Sequence, residues 1–395
     1  MKKYILLVFL LAFGFSSCEL KEEIIDGPAK ENDQTVFMYM PWSSNLTSYF
    51  RQNIADFETA IQEGILRNER VVVFFMSSAT EASLFELQKN GNRRTFKTYL
   101  FENTNPAPYT TAETIASILE DVKRYAPAKR YAMTVSSHGM GWLPAPRSVS
   151  RQDGFKYHWD YAAEGVPLTR YFGGTTSQYQ TDLTTLAEGI AAAGLKMEYI
   201  LFDDCYMSTI EVAYDLREVT DYLIASPTEV MAYGFPYHKI GKHLVGTVDY
   251  GGIAEAFHSF YEDYEQMPCG TIGITYCPEL ENLAAIMKEI NQGHEFDPSL
   301  RGSLQRLDGY TPVIFYDYGD YVAKLCTDPA LLARFQNQLE KTVPSEWSLH
   351  TRTYYTMILP GQVTINAYSG ITISDPSTHS QTGTKTETAW YEATH

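Results

Sequence analysis

Apolar residues in this chain fall into short, nearly unbroken runs that alternate with longer stretches of helical spacing. Residues 34–40 (QTVFMYM) and 70–76 (RVVVFFM) are strand-length runs, the pattern of strands covered on both faces of a sheet. Between them, residues 46–67 repeat their apolar positions at helical intervals. Residues 84–89 and 94–100 flank Asn90-Gly91-Asn92 and predict a hairpin. An amphipathic helix over 111–125 stops before Pro127, and a strand running to His138 follows. A helix over 182–194, acidic at its start and closed by glycine, leads into a strand over 199–205. Then come a helix over 208–217, a strand over 222–225, a helix over 251–264, a strand over 271–276 and a helix over 278–292. Alternating strands and helices predict an α/β fold with a mostly parallel central sheet. Beyond about residue 295 the periodicity loosens, and strands over 363–367 and 370–373 precede a Ser/Thr/Gly-rich tail.

Residues 140–180 interrupt the rhythm with Pro144, Pro146, Pro167, a glycine pair and many aromatic and polar side chains. Long irregular segments of this kind are usually functional. This one carries Arg147, Arg151, Lys156 and Arg170, and exposed loops of this kind are where proteolytic nicking concentrates, so 140–180 is a candidate processing region. The chain of 395 residues has room for one large domain with an appendage. The expected division is a domain over 34–290, an extension over 291–380 packed against it, and a flexible tail over 381–395.

Residues 1–18 read as a signal peptide: two lysines, a short apolar core, then small residues. The core is too short for an ordinary membrane span. Phe15-Ser16-Ser17-Cys18 resembles a bacterial lipobox, which makes Cys18 the lipidated residue. Its phenylalanine stands where leucine is usual, so a plain secretory signal is the alternative. Residues 19–33 are then a flexible tether, and Lys21-Glu22-Glu23 resembles the tag that sends some lipoproteins to the outer surface. The expected location is the bacterial envelope, as an outer-membrane lipoprotein anchored by lipid.

A net charge of −17 disfavours nucleic acid as a partner, because phosphate contacts need clustered Lys and Arg. The same charge attracts cationic substrates. No CxxC, HExxH, GxGxxG or GxxxxGK[ST] motif occurs, so the sequence predicts no zinc ribbon, zincin, dinucleotide turn or phosphate loop. No cofactor or metal site is expected, with a Ca²⁺ requirement left open, and the chain is expected to be a monomer. Cys269 and Cys277 flank a strand and either pair or stay as buried thiols.

Two apolar runs end on reactive residues, one in Ser136-Ser137-His138-Gly139 and the other in Asp203-Asp204-Cys205. Sites in open parallel sheets collect at the carboxyl ends of strands, and a right-handed crossover brings two such ends together. Cysteine attacks as the thiolate, and a free thiol near pKa 8.5 is mostly protonated at neutral pH. A strand-to-helix junction offers Cys205 a helix dipole, and His138 offers a proton store for the leaving amine. The amides of Gly139 and Cys205 are the expected oxyanion donors. Taken singly, a strand-end histidine is more often structural and a lone apolar-flanked cysteine more often inert core. Their joint occurrence carries the reading.

His138-Gly139-Met140-Gly141-Trp142 and Phe202-Asp203-Asp204-Cys205-Tyr206-Met207-Ser208-Thr209-Ile210-Glu211-Val212-Ala213-Tyr214 resemble the paired motifs of the clostripain family of cysteine peptidases, relatives of caspases, gingipains and legumain. The resemblance spans roughly 34–265. It implies a caspase-like three-layer α/β/α sandwich with a C-terminal extension, and a His138/Cys205 dyad acting on polypeptide substrates. It also implies that Asp203 lines the primary specificity pocket and receives Arg or Lys. Family members often carry a second acidic residue near the position of Tyr233; here either Glu229 substitutes for it or the pocket is less strictly basic. The competing reading is a pseudopeptidase or peptide-binding lipoprotein that keeps the fold without turnover.

Overall fold

The computed structural model describes residues 29–145, 156, 173–264, 267–359 and 361–395. The first half of the chain contributes β1 (Asn32–Met40), α1 (Thr47–Gln62), β2 (Glu69–Met76), β3 (Glu81–Leu87), β4 (Arg93–Leu100), α2 (Ala112–Tyr125) and β5 (Ala128–Ser136). The second half continues with α3 (Leu183–Ala192), β6 (Met197–Asp203), α4 (Ile210–Leu216), β7 (Tyr222–Ala225), α5 (Tyr237–Leu244), α6 (Tyr250–Glu262), β8 (Gly273–Tyr276) and α7 (Leu280–Gly293). The C-terminal part adds β9 (Tyr316–Asp317), α8 (Tyr318–Leu325), α9 (Pro329–Thr342), β10 (Thr353–Tyr355), β11 (Gln362–Thr364), β12 (Thr372–Ile373) and α10 (Ala389–Thr394).

Eight strands form one sheet in the order β4-β3-β2-β1-β5-β6-β7-β8. The strands from β2 to β7 run parallel, whereas the β3–β4 hairpin and β8 are antiparallel. Side chains of successive strand residues leave opposite faces, and both faces are dry. Val36, Met38, Tyr199 and Leu201 pack with α1, α5 and α6. Phe37, Tyr39, Ile200 and Phe202 pack with α2, α3 and α4 on the other face. The result is a three-layer α/β/α sandwich with a mostly parallel sheet, and its double-sided burial explains the unbroken apolar runs.

The predicted elements up to residue 292 are present with shifted ends, with α5 as an addition. Tyr237, Ile240, Gly241 and Leu244 give α5 a single buried stripe directly after Pro236. The C-terminal part is more ordered than its weak periodicity suggests. Asp317 caps α8 through the amide of Asp320, and Asp328 caps α9 ahead of Pro329. The expectation of a flexible tail over 381–395 is corrected: α10 folds there, with Trp390 fully buried edge-on to Tyr214 of α4 and Tyr318 of α8. Aromatic burial on that scale outweighs the polar composition around it. The signal peptide, Cys18, most of the tether, and Arg147, Arg151 and Arg170 lie outside the described residues.

Candidate active site

Parallel pairing of β5 with β6 ends on the register Ser136↔Asp203. His138 and Cys205 each lie two residues beyond that pair, so the sheet itself sets the two turns side by side. The contact is tight: a Cβ built on Gly139 would stand 2.3 Å from the carbonyl oxygen of Cys205. Only glycine permits that approach. Gly141, at φ +59°, turns the chain under Tyr206 and Phe315, and Trp142 then donates its indole N–H to Ser374 Oγ at 2.9 Å.

His138 is fully buried, and its Nε2 lies 2.8 Å from Asn45 Oδ1. An amide oxygen only accepts, so with Oδ1 facing the ring Nε2 is the donor of this contact. Asn45 comes from the short turn after β1, the strand beside β5. Sequence reasoning missed it. The available signal was Ser43-Ser44-Asn45, a polar cluster at the carboxyl end of a buried strand.

Cys205 is also fully buried. The expected helix dipole does not serve it: α4 begins at Ile210 behind the cap Thr209, five residues downstream, and dipole effects fade within one turn. Instead the Val230 amide lies 3.2 Å from Cys205 Sγ, in position to donate to a thiolate. Val230 belongs to the loop after β7, which runs against residues 203–208. Tyr206 N–H donates to Thr228 O and Ser208 N–H to Ser226 O, both at 3.0 Å.

The two acidic candidates point inward. Asp203 is fully buried, with Oδ1 accepting the Phe235 amide at 2.8 Å and Oδ2 lying 3.3 Å from Ser136 Oγ. Asp204 receives the amide and hydroxyl of Ser137, tying the cysteine turn to the histidine turn. Glu229 accepts from Tyr206 Oη, Thr356 Oγ1 and the Met357 amide, at 2.6, 2.5 and 3.0 Å. The sequence reading places Glu229 at a substrate's basic side chain, whereas here it holds three internal donors and reaches into the C-terminal part; Asp203 also holds an internal donor on each oxygen but stays within the strand-end turns. Cys269 and Cys277 are free, and burial pushes both thiols up to about 12, so neither competes as a nucleophile near neutral pH. Among the described residues no group of three or more His, Cys, Asp or Glu side chains is arranged to hold a metal ion.

A cysteine and a histidine set just beyond neighbouring parallel strand ends of an α/β/α sandwich form the arrangement that a cysteine peptidase needs. The family model of the clostripain family matches residues 38–292, and the chain belongs to that family of cysteine proteases. Among curated proteins, none matches the chain. It is similar to a secreted C11 cysteine protease from Bacteroides thetaiotaomicron, "iotapain", at 58% identity over 93% of this chain and 100% of that one, with a TM-score of 0.84. A clostripain from Bacteroides thetaiotaomicron ATCC 29148, solved with the peptide inhibitor BTN-VLTK-AOMK, is 66% identical over 57% of this chain and 99% of its own, with a TM-score of 0.55. An inactive zymogen C11 protease from Parabacteroides distasonis is 26% identical over 93% and 99% of the two chains, with a TM-score of 0.73.

Proposed function

We propose that this protein is a secreted endopeptidase that cleaves after Lys or Arg, with Cys205 as nucleophile and His138 as acid and base. The observation that carries the reading is the β5–β6 register, which sets these two residues side by side. The Cys205 thiolate attacks the scissile carbonyl carbon, and the amides of Gly139 and Cys205 receive the developing oxyanion. Nε2 is committed to Asn45, so His138 exchanges protons through Nδ1. As the C–N bond breaks, that nitrogen protonates the departing amine. Water, deprotonated by the same nitrogen, then releases the acyl group and regenerates the thiol.

Asp203 is the proposed partner for the substrate's basic side chain, by a charge-assisted contact best matched to guanidinium. The inhibitor bound by the 66% identical relative has a peptide ending in lysine, which supports a basic preference here. His138, Cys205 and Asp203 are all buried. That is the state expected of a latent enzyme, and the relative described as an inactive zymogen supports it. We assign activation to self-cleavage within residues 140–180, and envelope anchoring to lipid on Cys18.

Fluorogenic peptides ending in Lys, Arg, Asn or Asp test the activity. Cys205→Ala and His138→Ala each abolish turnover with the fold intact, and Asp203→Asn lowers the rate on Lys and Arg peptides about tenfold or more. Retained turnover in Cys205→Ala refutes the mechanism, and a wild-type preference for neutral residues refutes the pocket. Fragment masses of wild type beside Cys205→Ala read self-cleavage. Fatty-acid labelling of wild type beside Cys18→Ala reads the anchor.

A further inference from the structure

The residue immediately after the nucleophile is held in an unusual conformation. Tyr206 has φ +59°, a left-handed backbone that side-chain-bearing residues rarely adopt, and it is fully buried. Such conformations persist where surrounding contacts over-determine them. Three kinds of contact do so here. The Tyr206 ring stacks on Phe315 of the C-terminal part with centroids 5.1 Å apart, and its carbonyl oxygen lies beneath Gly141 of the histidine turn. Its amide donates to Thr228 O. Its hydroxyl donates to Glu229 at 2.6 Å.

The same carboxylate gathers Thr356 Oγ1 and the Met357 amide, on the segment just after β10. Glu229 therefore joins the chain on the far side of Cys205 to a segment some 150 residues further along. Its neighbour Val230 presents the amide that reaches Cys205 Sγ. One carboxylate thus sets the direction of the chain leaving the nucleophile and the place of a donor to its sulfur. A carboxylate suits the task, since it accepts several hydrogen bonds at once and needs no donor in return.

We infer that Glu229 is a positioning residue for the nucleophile, acting through Tyr206 and Val230, and that Thr356 and Met357 of the C-terminal part complete its clamp. The inference rests on Cys205 as the nucleophile, and it gives Glu229 no contact with substrate. It assigns the C-terminal part a catalytic purpose: that part supplies two of the three donors that fix the carboxylate.

The test uses full-length protein with Glu229→Gln, Tyr206→Phe and Thr356→Val, assayed on Lys, Arg and neutral peptides. Active sites are titrated with a lysyl acyloxymethyl ketone so that kcat is expressed per competent site. Misplacing a reacting group by about 1 Å costs on the order of a hundredfold in rate. Tyr206→Phe and Glu229→Gln are expected to lower kcat per titrated site by about ten- to a hundredfold, and to slow alkylation by the ketone alike. KM stays within about twofold for every peptide, because the lost interaction aims the sulfur rather than binding substrate. Thr356→Val shows the same pattern at smaller size. A loss confined to Lys and Arg peptides, or carried by KM, overturns the inference and returns Glu229 to the specificity pocket. Wild-type kcat per titrated site also overturns it, leaving a purely structural role. Tyr206→Phe removes a single oxygen, so it decides the question if Glu229→Gln does not fold. A failure of Cys205 as nucleophile is read separately, from turnover in Cys205→Ala.

Discussion

Replacing Gly139 with alanine tests how closely catalysis depends on the seam between the two strand ends. The added methyl would lie 2.3 Å from the Cys205 carbonyl oxygen and 3.0 Å from Asp204 Cβ and Met207 Sδ. Ordinary contact begins near 3.4 Å, so the turns must separate by about 1 Å. Met207 is a flexible side chain and can yield, but the carbonyl belongs to the backbone of Cys205 itself. Forced separation of packed elements costs about 1–3 kcal/mol of stability. Its catalytic effect is larger, since a shift of about 1 Å in a reacting group is worth on the order of a hundredfold. Gly139→Ala is therefore expected to lose about two orders of magnitude in kcat/KM on a lysyl peptide, with a modest fall in urea midpoint. Gly293→Ala is the control, because its methyl meets nothing within 4 Å. Activity of Gly139→Ala within about threefold of wild type would refute the tight seam.

Trp390→Ala should cost about 3–5 kcal/mol in urea denaturation, because it empties a fully buried site between Tyr214 and Tyr318; a change below about 1 kcal/mol would mean that α10 is not part of the core. Glu211, buried in α4 beside Asp375, has its carboxyl pushed up to about 8, first by burial and then by that neighbouring acid. An unfolded chain ionises this group near 4.5 whereas the folded one stays protonated to about 8, so its contribution to stability is full below pH 4.5 and is lost as pH rises toward 8. Glu211→Gln should flatten the fall in stability between pH 5 and pH 8, by up to a few kcal/mol at about 1.4 kcal/mol per pH unit, and equal slopes in the two proteins would contradict the assignment.

The sheet was legible because strands buried on both faces leave no room for polar residues, as in residues 34–40 and 70–76. The neighbouring placement of His138 and Cys205 was legible because each follows such a run, and their register then follows from the sheet. The partners that tune them were not. Asn45 meets His138 across 93 residues, Val230 meets Cys205 across 25, and Thr356 meets Glu229 across 127. Single hydrogen bonds between loops follow no period, so no local pattern announces them. The C-terminal helices failed for a different reason. α9 buries Leu331, Phe335 and Leu339 with only a narrow apolar stripe, and its clearest signal was the Asp328-Pro329 cap. Tyr206 looked like an ordinary motif residue, because a left-handed backbone at a tyrosine leaves no trace in composition.

The sheet order has one further consequence. In the eight-stranded sheet, β1 to β5 lie on one side of the β5–β6 boundary and β6 to β8 on the other. His138 thus belongs to one half and Cys205 to the other, with the join between them running through the middle of the sheet. A chain divided between residue 142 and β6 becomes two complementary fragments, neither of which holds both His138 and Cys205. On the proposed Cys205/His138 dyad, turnover in such a divided protein reads reassembly, so the fold can serve as its own two-part reporter, silent until the halves find the same register.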